Sequence, residues 1–386
     1  MEKKLKLGII GIGGMGSGHA NRVLDGSLSE CELTAVADIN PARLDWAKEN
    51  FEGIATFTDA IELLDSGLVE AVIIATPHYF HPPYAIEAMK RGVHVMCEKP
   101  AGVYTKQVLE MNEVAKQCDV VFGMMFNQRT TPMYIKMRDI VKSGKYGEIR
   151  RVNWIITTWF RTQAYYDSGD WRATWSGEGG GVLLNQCPHQ LDLLQWICGM
   201  PSKVQAKLHY GKWHDIEVED DVTAYLEYPN GATGVFVTST GDANGTNRFE
   251  IMLDSAKIIA DGNKLEVLEF ECPTSEYLKS SQHGFKVMET KKLDIDLSHE
   301  GPMAHLAVLK AWVAKINGTG ELIAQGVEGI NGLTLSNAMH LSSFLNKEIE
   351  LPLDPNVYYN ELMKKVATSK RKDPNTASVM DFNNTY

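Results

Sequence analysis

One stretch near the start restricts the chain more than any other. An apolar run, Leu5 to Ile10, leads directly into Gly11-Ile12-Gly13-Gly14-Met15-Gly16. The run has the composition of a parallel strand buried on both faces. The glycines keep G-x-G-x-x-G spacing. The first allows a tight turn, the second lets the backbone approach a pyrophosphate, and the third lets the next helix pack closely. The N–H groups at the start of that helix are free to meet phosphate oxygens. A glycine-rich loop alone only turns a chain, so context decides. Here Leu33 to Ala37 reads as a second strand and ends in Asp38, at about the 20-residue distance a ribose-binding acid requires.

Asp38 also bears on the choice of cofactor. A carboxylate accepts hydrogen bonds from a free ribose 2′-OH and repels a 2′-phosphate. Ile39 and Asn40 bring no cation, and Arg43 is the nearest one, so NAD is expected over NADP. Asp38 with Asn40-Pro41 also suits a cap before the next helix, and the two uses are compatible.

The remaining strands alternate with helices as far as residue 125. Val69 to Ala75 and Val93 to Cys97 are apolar runs that end in Thr76-Pro77-x-x-x-His81 and Glu98-Lys99-Pro100. Strands so spaced predict a doubly wound α/β domain. After residue 125 the strands come closer together, with Asn230-Gly231 marking a hairpin. The pattern predicts an antiparallel sheet, with helices Met303 to Ile316 and Val327 to Leu345 returning to cover it. The expected units are 1–125, 126–354, and a C-terminal helix with a polar tail, 355–386. That tail is read as disordered or as packing on a partner subunit.

At 386 residues with a net charge of −11, the chain offers no basic stripe for nucleic acid. No run reaches the ~20 apolar residues of a membrane span, and glycines break up the apolar segment that follows Lys3, Lys4 and Lys6. The six cysteines form no C-x-x-C pair. Together these point to a reducing, cytoplasmic setting.

Ligands of open α/β sheets sit beyond the carboxyl ends of the strands. The glycine turn, Thr76-Pro77-x-x-x-His81 and Glu98-Lys99 therefore converge on one crevice. Lys99 is placed to hydrogen-bond a substrate hydroxyl and stabilise developing alkoxide charge. It equally suits a surface loop, paired with Glu98. His81 is open to two uses, a nicotinamide-side ribose contact or a helix cap. A helix begun in Gly179-Gly180-Gly181 would align Asn185, His189, Asp192 and Trp196 on one stripe. On that stripe His189 could take a proton and Asp192 could orient its ring. Pro188 requires the helix to kink or to begin anew there. No third ligand accompanies His189 and Asp192, so no metal is expected. Four of the eight tryptophans lie between Trp154 and Trp175. Trp171, Arg172 and Trp175 suit a pyranose or cyclic polyol, although tryptophan is also a common core residue.

These motifs together resemble the Gfo/Idh/MocA oxidoreductases, named for glucose–fructose oxidoreductase, inositol 2-dehydrogenase and a rhizopine-catabolism protein. The resemblance runs over about residues 5 to 350. It rests on the N-terminal glycine loop, Thr76 to His81, Gly92 to Pro100, and Gly179 to Asp192. It implies an N-terminal Rossmann doubly wound parallel sheet and a C-terminal α/β domain with a large, mostly antiparallel open sheet. A homodimer or homotetramer is implied as well. It also implies that Lys99 is catalytic and His189 the acid/base. Many members carry aspartate where this chain has Asn185. An amide takes no proton, so Asn185 is expected to orient a sugar hydroxyl, and ordinary inositol dehydrogenation fits less well.

The expected activity is oxidation of a secondary hydroxyl of a sugar, glycoside or cyclic polyol by hydride transfer to NAD. C3 of a glucoside is one candidate position. A glycosidase-like lyase that recycles its own cofactor, an inositol dehydrogenase, and a non-catalytic nucleotide-binding module are the alternatives.

Overall fold

The computed structural model describes residues 3–370 and 372. Most of the expected polar tail lies outside the described residues. Six strands form the first sheet: β1 Leu5–Ile10, β2 Cys31–Ala37, β3 Ala55–Phe57, β4 Ala71–Ile74, β5 His94–Cys97 and β6 Phe122–Met124. They are parallel, in the order β3-β2-β1-β4-β5-β6. The order reverses between β1 and β4, which opens a crevice at their carboxyl ends. Leu7, Ile9, Ile73 and Met96 are wholly buried, as the continuous apolar runs require.

The second sheet has nine strands. They are β7 Ile149–Ile156, β8 Lys203–Tyr210, β9 Glu219–Glu227, β10 Thr233–Ser239, β11 Asn247–Leu253, β12 Ala256–Asp261, β13 Lys264–Phe270, β14 Thr290–Leu293 and β15 Ile349–Glu350. Their order is β14-β13-β12-β11-β7-β10-β9-β8-β15. One pair, β7 with β10, is parallel, so the sheet is mostly rather than wholly antiparallel. Trp154 on β7 stacks on Phe249 of β11 with ring centroids 4.2 Å apart, a cross-strand aromatic pair of the kind that fixes register. The hairpin at Asn230-Gly231 joins β9 to β10 as expected, with Gly231 at φ +82°.

Helices Pro188–Cys198 and Gly329–Leu345 cover one face of this sheet. Gly332 lets them touch, since a Cβ there would lie 3.1 Å from the Asp192 nitrogen. The helix Ala304–Ile316 does something different from the sequence expectation. Its buried face of Val308, Leu309, Trp312 and Val313 packs with Ile9, Val36, Ile73 and Met96 of the first sheet. The Trp312 indole N–H donates to the Val121 carbonyl at 3.3 Å. A parallel sheet needs helices on both faces, and the chain returns after the second sheet to complete one of them.

Trp312→Ala should therefore destabilise the first domain by about 3–5 kcal/mol. Urea unfolding followed by fluorescence would measure it, and a loss below about 1 kcal/mol would contradict this packing.

Candidate active site

A cleft of ≈ 580 Å³ lies at the carboxyl ends of the parallel strands. Gly11, Gly13, Gly14 and Met15 line it, followed by Asp38, Thr76, Pro77, His81, Glu98 and Lys99. Gly11 has φ +88°, and a Cβ on Gly16 would lie 1.9 Å from the Gly11 carbonyl oxygen. The turn and the first helix, Gly14–Leu24, are thus pressed together in a way only glycine permits. A Cβ on Gly13 would meet nothing within 4 Å, so that backbone faces open space. Asp38 accepts from the Ile12 and Asn40 backbone nitrogens, each at 2.8 Å. Arg43 donates to the Ile12 carbonyl at 2.7 Å and to the Ser17 hydroxyl. It braces the turn from beneath and does not line the cleft. The Thr76 hydroxyl is buried with no hydrogen-bond partner among the described residues. Open space above Gly13, a carboxylate at the end of β2 and an orphaned hydroxyl at the end of β4 all fit a dinucleotide.

Glu98 is buried, and its Oε1 lies 2.8 Å from Nε2 of His19 on the first helix. Burial opposes its ionisation. The His19 hydrogen bond, with the positive influence of His19, His305 and Lys99, outweighs that cost and holds the carboxyl at about 2. Glu98 therefore ties β5 to the first helix. His81 has a similar task. Its Nδ1 lies 2.7 Å from the Pro100 carbonyl and its Nε2 2.7 Å from the Thr76 carbonyl. Both ring nitrogens face backbone carbonyls, and the ring, its pKa lowered by burial, is neutral with one N–H to donate between them. His81 holds the loops after β4 and β5 together.

The second domain supplies the opposite wall through Arg161, Tyr165, Trp171, Arg172 and Asn185. The sequence expectation of a helix beginning in the glycine run is not met. Residues 179–187 form successive turns, and the helix starts at Pro188, where a missing N–H costs nothing. Glu219 shapes those turns. Its side chain accepts from Gly181 N at 2.8 Å and Leu183 N at 3.0 Å, and His340 Nε2 lies 2.9 Å away. Burial works against charge on His340. The Glu219 carboxylate and the Ser336 carbonyl outweigh it and raise its pKa above the ordinary imidazole value.

Asn185 leaves the turn at the cleft. Its carbonyl accepts from Lys99 Nζ at 3.1 Å, a contact that crosses between the domains. Its amide donates to Glu178, a buried carboxyl that also accepts from Ala173 N at 2.6 Å. Burial raises the Glu178 pKa despite the nearby Arg172. His189 is buried at the start of its helix, its ring edge-on to Phe126. Its Nδ1 has no hydrogen-bond partner among the described residues. Burial first, and then the Lys99 charge, push its pKa well below the ordinary imidazole value. It is therefore neutral near pH 7, with a lone pair to accept a proton.

Two expected substrate contacts fall elsewhere. Asp192 is fully buried, and its two oxygens each lie 2.7 Å from Arg129 nitrogens. With Gln195 also donating to it at 3.0 Å, it is occupied in a structural ion pair and does not orient His189. Trp175 packs on Tyr210, His340 and Phe344 in the second core, away from the cleft. Glu178, Glu219 and Arg129 went unread in the sequence, since no local pattern marks them. Glu178 sits directly before the glycine run, its one positional hint. Among the described residues no cluster of three or more His, Cys, Asp or Glu could hold a metal ion.

A family model described as "Oxidoreductase family, NAD-binding Rossmann fold" matches residues 5–126. A second, the GFO/IDH/MocA C-terminal domain, matches residues 134–259. The chain belongs to the Gfo/Idh/MocA family. It is 30% identical to the rhizopine catabolism protein MocA of Rhizobium meliloti over 51% of this chain, and spans 58% of that protein. It is 24% identical to the D-glucoside 3-dehydrogenase of Escherichia coli, over 90% of this chain and 97% of that one. Among solved structures, the WlbA dehydrogenase of Chromobacterium violaceum, in complex with NADH and UDP-GlcNAcA, is 27% identical with a TM-score of 0.79. That match covers 92% of this chain and 98% of the other. The first domain of this Gfo/Idh/MocA chain is thus an NAD-binding Rossmann domain.

The Glu219–His340 pair gives this family member a pH signature. His340 has a raised pKa when folded, so its contribution is complete below the unfolded value and is lost as pH rises through the folded one. His340→Gln should cost more stability near about pH 6 than near about pH 9. Urea unfolding at both pH values checks this, and an equal loss at the two would contradict it.

Proposed function

We propose that the protein is an NAD-dependent dehydrogenase that oxidises a secondary hydroxyl of a sugar, glycoside or cyclic polyol to a ketone. One observation carries the reading. Lys99, at the end of β5, lines the cleft and reaches across it to the backbone carbonyl of Asn185, four residues before the buried His189. NAD, when bound, supplies the acceptor for the hydride that leaves the carbinol carbon. The chain's own residues manage the proton. Lys99 hydrogen-bonds the substrate hydroxyl and steadies the negative charge that grows on its oxygen. His189 accepts the hydroxyl proton. Asn185, fixed by Glu178, orients the neighbouring hydroxyl. Trp171 and Tyr165 offer aromatic surface to the ring's C–H faces. The likeness to a glucoside 3-dehydrogenase along nearly the whole chain supports a sugar or glycoside substrate.

Lys99→Ala should lower kcat by about 10²–10⁴-fold while leaving NADH affinity within a few-fold. Reduced-nicotinamide absorbance and NADH titration would measure the two. Equal loss of both would mean that Lys99 only holds cofactor. Cleavage of a glycoside without NADH accumulation would contradict net oxidation.

A further inference from the structure

Three side chains that line the cleft carry a buried polar atom with no hydrogen-bond partner among the described residues. They are the Thr76 hydroxyl, Nε of Arg161 and Nδ1 of His78. Thr76 lies against the Gly11 turn, at the cofactor's end. His78 has no part in the scheme above. Resting on the dehydrogenase reading, we propose that His78 is a substrate-binding residue. Its Nδ1 hydrogen-bonds one sugar hydroxyl, other than the one oxidised, and so selects substrates that carry it.

The local fold sets the ring in place. After β4, Pro77 turns the chain, and His78–Phe80 forms a single tight helical turn. The His78 side chain is folded inward and only 6% of the residue is exposed. Its ring lies edge-on to His81, with centroids 6.0 Å apart, and edge-on to Trp171 at 5.9 Å. His81 belongs to the first domain, whereas Trp171 belongs to the wall supplied by the second and itself lines the cleft. His78 therefore stands where the two domains meet, within the electrostatic reach of Lys99. That is the substrate's end of the cleft.

The chemistry of the ring points to a hydroxyl. Burial first, and then His81 and Lys99, push its pKa well below the ordinary imidazole value. The ring is thus neutral near pH 7, with one N–H and one lone pair. It bonds to the Glu178 backbone, yet Nδ1 remains unmet. A buried polar atom left unpaired is costly, and a ligand that pairs it recovers that cost. A hydroxyl both donates and accepts, so it satisfies Nδ1 in either tautomer, which a carboxylate or phosphate does not. The reacting hydroxyl is already engaged by Lys99 and His189, so His78 takes another. Trp171 offers its surface to the sugar ring, and His78, packed on Trp171, meets a hydroxyl at that ring's edge. A site built around a hydroxyl rejects the analogue that lacks it, because its own polar group is then stranded.

The test removes hydroxyls one at a time. Methyl glucoside and its 2-, 3-, 4- and 6-deoxy analogues are each titrated into the NADH-bound protein and assayed for NAD reduction. The unmodified protein should bind one analogue about tenfold more weakly than methyl glucoside through the loss of this contact. His78→Phe keeps a flat ring without nitrogen. It should bind methyl glucoside about tenfold more weakly and no longer discriminate against that one analogue, while its discrimination among the others is unchanged. His78→Asn, which returns a polar atom near the Nδ1 position, should restore part of the preference. NADH affinity should stay within a few-fold in both variants. Identical discrimination by His78→Phe and the unmodified protein would overturn the proposal, as would failure of all five sugars to bind. A loss of NADH affinity in place of sugar affinity would assign the ring to the cofactor and overturn it as well. If the His78-dependent preference appears and no NADH forms, the hydroxyl site stands and the dehydrogenase reading fails.

Discussion

The cleft depends on the close approach of Gly16 to the carbonyl of Gly11. Any side chain at Gly16 would drive the first helix off the end of β1. That helix carries His19, which grips Glu98 at the end of β5, and Glu98 precedes Lys99. One steric condition at the first turn is therefore passed through a buried hydrogen bond to the residue before Lys99, which lines the cleft. His81 adds a second tie, between the loops that follow β4 and β5. The strand ends form a braced array whose chemistry is set before any ligand arrives.

The second domain is braced by buried charge. Arg129 carries Asp192 on two nitrogens and Glu328 on a third. Burial opposes the guanidinium's charge, and the two carboxylates outweigh it and raise its pKa. Such a network adds little net stability, because desolvation cancels much of the attraction. Its effect is positional. It anchors the helix of His189 to the loop after β6 and to the start of helix Gly329–Leu345. Glu219 and His340 set the preceding turns in the same manner. Ser369 and Lys372 add one more clasp. Ser369 donates to Glu217, and Lys372 reaches the Tyr166 carbonyl at 2.9 Å. These contacts pin the segment that carries Arg161, Tyr165 and Arg172.

Features made by neighbours in sequence were legible in the sequence. The glycine turn, Asp38, the strand ends and the Asn-Gly hairpin are local, and each lies where its pattern requires. Features made by distant partners were not. Asp192 looked available to His189 because it lies three positions further along the same helix, but Arg129, sixty-three positions away in sequence, takes its carboxylate. Trp175 shares composition with Trp171, yet a neighbouring core claims it. Helix Ala304–Ile316 carries an apolar face that fits either sheet, and only the uncovered side of the first sheet decides the matter. Pro188 left a kink and a fresh helix start both open; the helix starts there, and the glycines before it serve the turn that Glu219 binds.

The central claim is that the space above Gly13 receives the cofactor's phosphates and that this places the nicotinamide near Lys99. Gly13→Val tests it most directly. A Cβ at Gly13 meets nothing within 4 Å, so the added side chain should occupy the cleft and spare the fold. NADH titration and thermal unfolding of the two proteins, side by side, read both effects. The account predicts NADH affinity reduced by at least about a hundredfold with the unfolding midpoint shifted by no more than about 2 °C. Undiminished NADH binding with an intact fold would contradict it.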